Sequence, residues 1–301
     1  MALGIYPDCL PRKTFMTAPI VFDHDLIVRH LQRRQPGAED FVTSLALYDL
    51  QDRLLAVTRR FEQALIMGPD ATVLPERGET HDGVFSFERA GTALAAPGQF
   101  LLDPEDLALP RSDYDLIVSI FDLQIVNDVP GFLARLRRHL RPDGLLLAAA
   151  IGGNTLTELR QAFLTADVSH SGGAYARVAP FIEIKDAGAL LQRAGFALPV
   201  ADVENHVVRY AHPLSLMQEL KRLGASNPLA DRPERMATAS LLAGAAEAYK
   251  DLAADPDGRI RATLEIIWMS GWAPHENQQK PLAPGSAKVS MTRILGDKAG
   301  S

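Results

Sequence analysis

QALIMGPDATVL, residues 63–74, is the stretch on which the reading of this chain turns. An apolar run, Ala64-Leu65-Ile66-Met67, meets Gly68 and then the turn-forming pair Pro69-Asp70. Nucleotide-binding α/β folds open with a strand that ends in glycine, because glycine lets the backbone approach a ligand and leaves N–H groups free to hold it. Only one glycine stands here, so the stretch reads either as a cofactor loop or as a plain turn.

Outward from this point, short apolar runs alternate with turns and helical segments. The runs are 64–67, GVFSF (83–87), FLL (100–102), DLIVSIF (115–121) and GLLLAAAIG (144–152). Continuous apolar runs of this length suit strands buried on both faces of a parallel sheet. Between the last two, VPGFLARLRRHLRPDG (129–144) predicts a helix, with Pro130 at its start, Phe132, Leu133, Leu136 and Leu140 as its apolar stripe, and Pro142-Asp143-Gly144 as its stop. Residues 22–60 predict two helices, the first acidic at its start and basic at its end. The second half predicts helices from TLTELRQAFL, IEIKDAGALLQRAGF, LSLMQELKRLG and SLLAGAAEAYKDLAA. It also predicts strands from VADVENHVVRY and from RIRATLEIIWMSGW, where Ile260, Ala262, Leu264, Ile266 and Trp268 share one face. The fold class is α/β, a doubly wound sheet.

Composition narrows the function. A net charge of −6 argues against nonspecific nucleic-acid binding, which needs a basic face. The single cysteine, Cys9, excludes an internal disulfide and a cysteine-built zinc site. No apolar run approaches the ~20 residues of a membrane helix. The N-terminal stretch lacks a secretory signal and is a poor mitochondrial presequence, so it reads as a loose arm in which Met16 could be the true start, and a bacterial cytoplasm is the simplest location.

In a doubly wound sheet, ligands bind at the carboxyl ends of the strands. Besides Gly68, two acidic positions have the spacing for that role. Glu88, 20 residues after Gly68, closes GVFSFE at the place where an acid holds ribose hydroxyls, and LLDPEDLALP offers Asp103 and Asp106. Each has a plainer reading: Glu88 beside Arg89 as a solvated pair, Asp103 as a helix cap. The eight histidines are scattered, with no convincing metal triad. His275-Glu276 could meet a partner or hold its own turn, and Trp268 and Trp272 read as core.

Seven pieces in order across nearly the whole chain resemble one family: VFDHDLIVRH (21–30), VNDVPGFL (126–133), LRPDGLLLAA (140–149), GGNTLTELR (152–160), LLQRAGFALP (190–199), LMQELKRLGASN (216–227) and GWAPHENQQKPLAPGSAKVS (271–290). They resemble the class I S-adenosylmethionine-dependent methyltransferases, and within them the branch of the mitochondrial complex I assembly factor that hydroxylates an arginine on an iron–sulfur subunit. The resemblance implies a seven-stranded methyltransferase-type sheet over residues 61–295, after an arm (1–20) and a helical segment (21–60), with a helical insertion at about 212–254. It implies S-adenosylmethionine as cofactor; the scattered histidines, not the resemblance, give the expectation of no metal. Gly68 and Asp70 would stand in the loop for its methionine end, Glu88 at its ribose and Asp103 at its adenine, while Ser119, Phe121 and the residues up to Asp128 flank it. The partner implied is a protein substrate, an iron–sulfur subunit of complex I, in a bacterial cytoplasm or a mitochondrial matrix.

Departures from the family pattern fall on the cofactor loop. The usual order is apolar-acid-apolar-Gly-x-Gly-x-Gly; aligned on Gly68, this chain has Ile66 for the acid, Asp70 for the second glycine and Thr72 for the third. Pro69 removes a backbone donor. Asp70 brings a negative charge to where the methionine carboxylate would lie, and since ~1.4 kcal/mol is tenfold in affinity, a micromolar site would drift to millimolar. Gln124-Ile125 replaces a His-Trp pair, and Pro284 replaces an arginine. Three functions stay open: a methyltransferase-like enzyme acting on a protein side chain in complex I assembly, a noncatalytic assembly factor on the same fold, and a small-molecule methyltransferase. Affinity for S-adenosylmethionine separates the first two.

Overall fold

A computed structural model describes residues 20–34 and 40–278. Its centre is one sheet of eight strands: β1 (Ala64–Asp70), β2 (Arg77–Thr80), β3 (Gly83–Leu94), β4 (Phe100–Leu101), β5 (Tyr114–Ile120), β6 (Leu140–Ile151), β7 (Ala197–Tyr210) and β8 (Ile260–Trp272). The order is β2-β3-β1-β5-β6-β8-β7, with β4 pairing to β3. β1, β3, β4, β5 and β6 run parallel, and β8 runs antiparallel between β6 and β7. The doubly wound methyltransferase-type sheet expected from the sequence is therefore present, and β2, a hairpin partner of β3, is an addition to it. Chain order reverses around β1, flanked by β3 on one side and β5 on the other, which places a crevice beyond its carboxyl end.

Among the described residues there are seven helices: α1 (His24–Gln32), α2 (Phe41–Leu55), α3 (Val129–His139), α4 (Thr157–Ser171), α5 (Ile184–Arg193), α6 (Pro213–Arg222) and α7 (Ala239–Ala253). The first three start at aspartate caps: Asp23 accepts from Leu26 N at 3.0 Å, Asp40 from Thr43 N at 3.0 Å and Asp128 from Gly131 N at 2.9 Å. The period of two along β1 splits its side chains between two cores. Leu65 and Met67 face α3 and α5 through Phe132, Leu136 and Leu191. Ala64 and Ile66 face α2 through Ala46, Leu50 and Leu54, with Trp268 of β8 in the same cluster. α4, α6 and α7 build a third cluster around Leu159, Leu216 and Tyr249; α6 and α7 stand between β7 and β8 in the chain.

No helix joins β1 to β3: a single 3-10 turn, Ala71–Val73, leads into β2, which returns along β3. Two local readings are corrected. β3 runs seven residues beyond Phe87, since its second half pairs with β1. α3 ends at His139, not at Gly144, because Leu140 already pairs with Tyr114 of β5. Asp143 then sits in β6 at φ +63°, bonded to Arg59 and Gln278. The arm before residue 20 and the PLAPGSAKVS stretch with Pro284 lie outside the described residues.

With no helix after β1, α2 supplies the apolar cover on that face. Leu50 is 2% exposed at its centre. Leu50→Ala is expected to cost about 2–5 kcal/mol in urea unfolding; a loss under about 1 kcal/mol would mean that α2 is not part of the core.

Candidate functional site

A cleft of about 1120 Å³ opens beyond the carboxyl ends of the central strands. Gly68, Pro69 and Asp70 from β1, Ile120 from β5 with Phe121 just beyond it, and Ile151 from β6 form its floor, and α1 and α6 close over it. Its walls are mostly apolar, among them Leu156, Phe163, Phe181 and Met217. The entry to α1 is strapped in place by the β5–α3 connection, where Asn127 Oδ1 accepts from the amides of Val21 and Phe22 at 2.7 and 2.8 Å, and Glu105, from the β4–β5 connection, accepts from Asn127 N at 2.6 Å. Asp23 pairs with Arg232 on the far side.

Glycine is required at 68 by crowding: a Cβ there would stand 2.8 Å from the carbonyl oxygen of Ile120. The loop beyond it turns inward. Asp70 is buried, and its Oδ1 accepts from Thr72 N at 2.9 Å and Thr72 Oγ1 at 2.6 Å, capping the 3-10 turn. Its Oδ2 pairs with the guanidinium of Arg34, which follows α1. The amide of Thr72 is thus spent within the loop, Pro69 has none to give, and no helix N-terminus follows.

Ser119 and Phe121 lie at the same end. Ser119 Oγ donates to Asp122 Oδ2 at 2.7 Å, and Thr92 Oγ1, from the end of β3, donates to Asp122 Oδ1 at 2.7 Å. This buried knot ties the ends of β3 and β5 together and flanks Phe121, whose backbone takes the left-handed φ of +63°. Burial pushes the Asp122 carboxyl up to about 6, although both hydroxyls favour its ionised form.

The other two expected positions are elsewhere. Glu88 pairs in register with Leu65, three residues before the Gly91–Gly68 pair, so it stands about 10 Å down the strand from the carboxyl end. There it accepts from Tyr114 Oη at 2.6 Å and lies 3.7 Å from Arg111; burial and Glu88 together push the Tyr114 phenol up. The 20-residue spacing put Glu88 at a strand end, but β3 continues to Leu94. Asp103 is exposed and caps its own turn, accepting from Glu105 N at 2.8 Å. The structure therefore brings Gly68, Asp70, Ser119 and Phe121 to one end of the sheet, with Ser119 buried rather than lining the cleft, and leaves Glu88 and Asp103 outside it. Among the described residues, no group of three His, Cys, Asp or Glu side chains could hold a metal ion.

The remaining signature pieces are structural where they can be seen. His275 Nδ1 accepts from Asn277 N at 3.2 Å and so holds its own turn, beside a depression of about 460 Å³ at the opposite end of the sheet. In GGNTLTELR, a Cβ at Gly152 would lie 2.2 Å from Glu265 Oε1, a carboxylate held by Asn154 Nδ2 at 2.7 Å. Arg160 donates to Ala179 O at 3.3 Å. Arg34 and Thr92 are absent from the sequence-based site, and Asp122 enters it only as one of the flanking residues between Ser119 and Asp128. Arg34 reads as the basic end of a helix, and a lone Thr or Asp at a strand end gives no signal.

Two expectations follow. The pKa of Asp122 is raised by folding, so its contribution to stability is full at low pH and is lost as pH rises through about 6, with a cost on the order of 3 kcal/mol at neutral pH. Asp122→Asn is expected to flatten the fall in urea stability between about pH 4 and 6; equal slopes in the two proteins would contradict it. Gly68→Ala is expected to destabilise by about 1–3 kcal/mol through the Ile120 clash; an unchanged midpoint would contradict it.

With this geometry in view, the chain can be compared with known proteins. A family model described as a methyltransferase domain matches residues 86–148. Arginine-hydroxylase NDUFAF5, mitochondrial, of Danio rerio is 31% identical over 284 residues, covering 88% of each chain. The Homo sapiens protein of the same name is 32% identical over 287 residues, covering 91% of this chain and 83% of its own. A malonyl-[acyl-carrier protein] O-methyltransferase of Laribacter hongkongensis is 38% identical over 190 residues, but covers only 63% of this chain and 61% of its own. Identity that spans both chains nearly end to end decides between these relatives: this chain belongs to the arginine-hydroxylase NDUFAF5 family, a branch of the S-adenosylmethionine-dependent methyltransferase superfamily.

Proposed function

We propose that this protein acts on an arginine side chain of a protein partner during assembly of respiratory complex I, and that it does so in the cleft beyond the carboxyl ends of β1 and β5. The observation that carries this reading is the cleft itself. At about 1120 Å³ it exceeds the 300–1,000 Å³ of ordinary small-ligand pockets, and its apolar walls suit a loop of a folded partner better than a lone amino acid. An iron–sulfur subunit of complex I is the partner the family resemblance suggests. The arginine is suggested by the name of the NDUFAF5 relatives. No helix among the described residues is long and apolar enough to cross a membrane.

S-adenosylmethionine fits these residues poorly. The loop that would grip its methionine end spends the Thr72 amide on Asp70, and Asp70 itself holds Arg34. The end of β3, where an acid would meet the ribose, carries Thr92, bonded to Asp122. Glu88 is too far along the strand to substitute. The same features favour a second reading, in which the fold and partner surface persist in a noncatalytic assembly factor.

Calorimetry with S-adenosylmethionine and S-adenosylhomocysteine is expected to give dissociation constants at or beyond about a millimolar, a loss of roughly 4 kcal/mol from a micromolar site. Micromolar binding would overturn the poor fit. Mass spectrometry of complex I subunits from a deletion strain is expected to show one arginine losing its modification. Full modification without this protein would remove arginine chemistry from its role and leave the assembly-factor reading.

A further inference from the structure

The cleft already contains an arginine bound to a carboxylate, and both belong to this chain. Asp70 is 5% exposed at the end of β1, and its Oδ2 holds Arg34, which is 17% exposed. We propose that Asp70 is the receptor for the guanidinium of a partner's arginine, and that Arg34 occupies it as an internal stand-in until that arginine enters. The inference rests on the arginine-directed function proposed above and assigns the residue that recognises the side chain.

Three features separate this pair from an ordinary structural ion pair. First, it is open to exchange. Arg177, also in the cleft wall, grips Asp167 through two bonds of 2.7 Å in a fork. Arg34 meets Asp70 through Nη2 and Oδ2 alone, because Oδ1 is committed to Thr72. A forked pair resists displacement more than a single contact does. Second, Arg34 follows Arg33, the C-cap of α1, so its side chain can swing away without unwinding the helix. Third, Asp70 cannot move. Its carboxylate caps the 3-10 turn, and the turn follows a strand fixed by the close approach of Gly68 to Ile120. A fixed carboxylate with a movable cationic occupant is the arrangement that a competing guanidinium can enter.

Exchange of one guanidinium for another leaves the buried charge on Asp70 paired throughout, so the large penalty of stranding a buried carboxylate does not arise. The internal arginine, held at high effective concentration, weakens the apparent affinity for an incoming one. Arg34 therefore sets a threshold: a free arginine is rejected, and an arginine on a partner that gains further contacts in the apolar cleft is admitted.

The test is calorimetry on the full chain with N-acetyl-L-arginine amide as probe. Arg34→Ala and Arg34→Gln are each expected to bind it at least about tenfold more tightly than the native protein. Arg34→Lys, which keeps the ion pair and so the fold, is expected to fall between. Adding Asp70→Asn to any of these is expected to abolish the gain. N-acetyl-L-lysine amide is expected to bind less well than the arginine probe. Equal affinity in native and Arg34-substituted proteins, or a gain that survives Asp70→Asn, would overturn the proposal. So would equal binding of the lysine probe. These outcomes are separate from the fate of the function proposed above: unmodified arginine in a deletion strain with no probe effect sinks this inference alone, and a probe effect with fully modified arginine sinks the other alone.

Discussion

The carboxylate of Asp70 governs the functional end of this molecule. It stands at the tip of β1, where the superfamily usually places glycine, and both its oxygens are engaged: one with Thr72, the other with Arg34. The first engagement closes the loop onto itself and takes away an amide that a ligand would use. The second holds Arg34, just past the end of α1, in the cleft wall. A buried carboxylate must be paired, and the partner the chain provides is an arginine.

The missing helix after β1 has the same origin. A loop that ends in a 3-10 turn capped by Asp70 does not launch a helix, and the chain returns instead through β2 as a hairpin on β3. The face left bare on β1 is covered by α2, from before the sheet, through Ala46, Leu50 and Leu54. The sheet order, the antiparallel β8 and the cleft persist, and the Thr92–Asp122–Ser119 knot ties the ends of β3 and β5 together beside it.

Much of the architecture was legible in the residues. Apolar runs of three to nine residues located β1, β3, β4, β5 and β6, although β4 is exposed and not buried; an acidic start and basic end marked α1, and Pro130 with an apolar stripe marked α3. Gly195 and Gly224 stopped their helices at φ values of +83° and +75°. What misled was spacing used without register. Twenty residues after Gly68 is a strand end only if a helix intervenes; without one, β3 runs on to Leu94 and Glu88 falls at mid-strand. Likewise Pro142-Asp143-Gly144 looked like a helix stop, yet pairing with β5 had already begun at Leu140. The departures in the loop, Pro69 and Asp70, were visible in the sequence. Their consequence was not, because Arg34 lies 36 residues away in a stretch that reads only as the basic end of a helix.

The central claim, that a movable arginine is held by a fixed carboxylate at the mouth of β1, is tested most directly by a double-mutant cycle. Arg34→Ala, Asp70→Asn and the double substitution are compared with the native protein by urea unfolding. A coupling of about 1–3 kcal/mol between the two positions is the result expected of a largely buried pair in contact. Additivity within about 0.3 kcal/mol would show that the two side chains do not meet in solution, and the account of this cleft would fail with it.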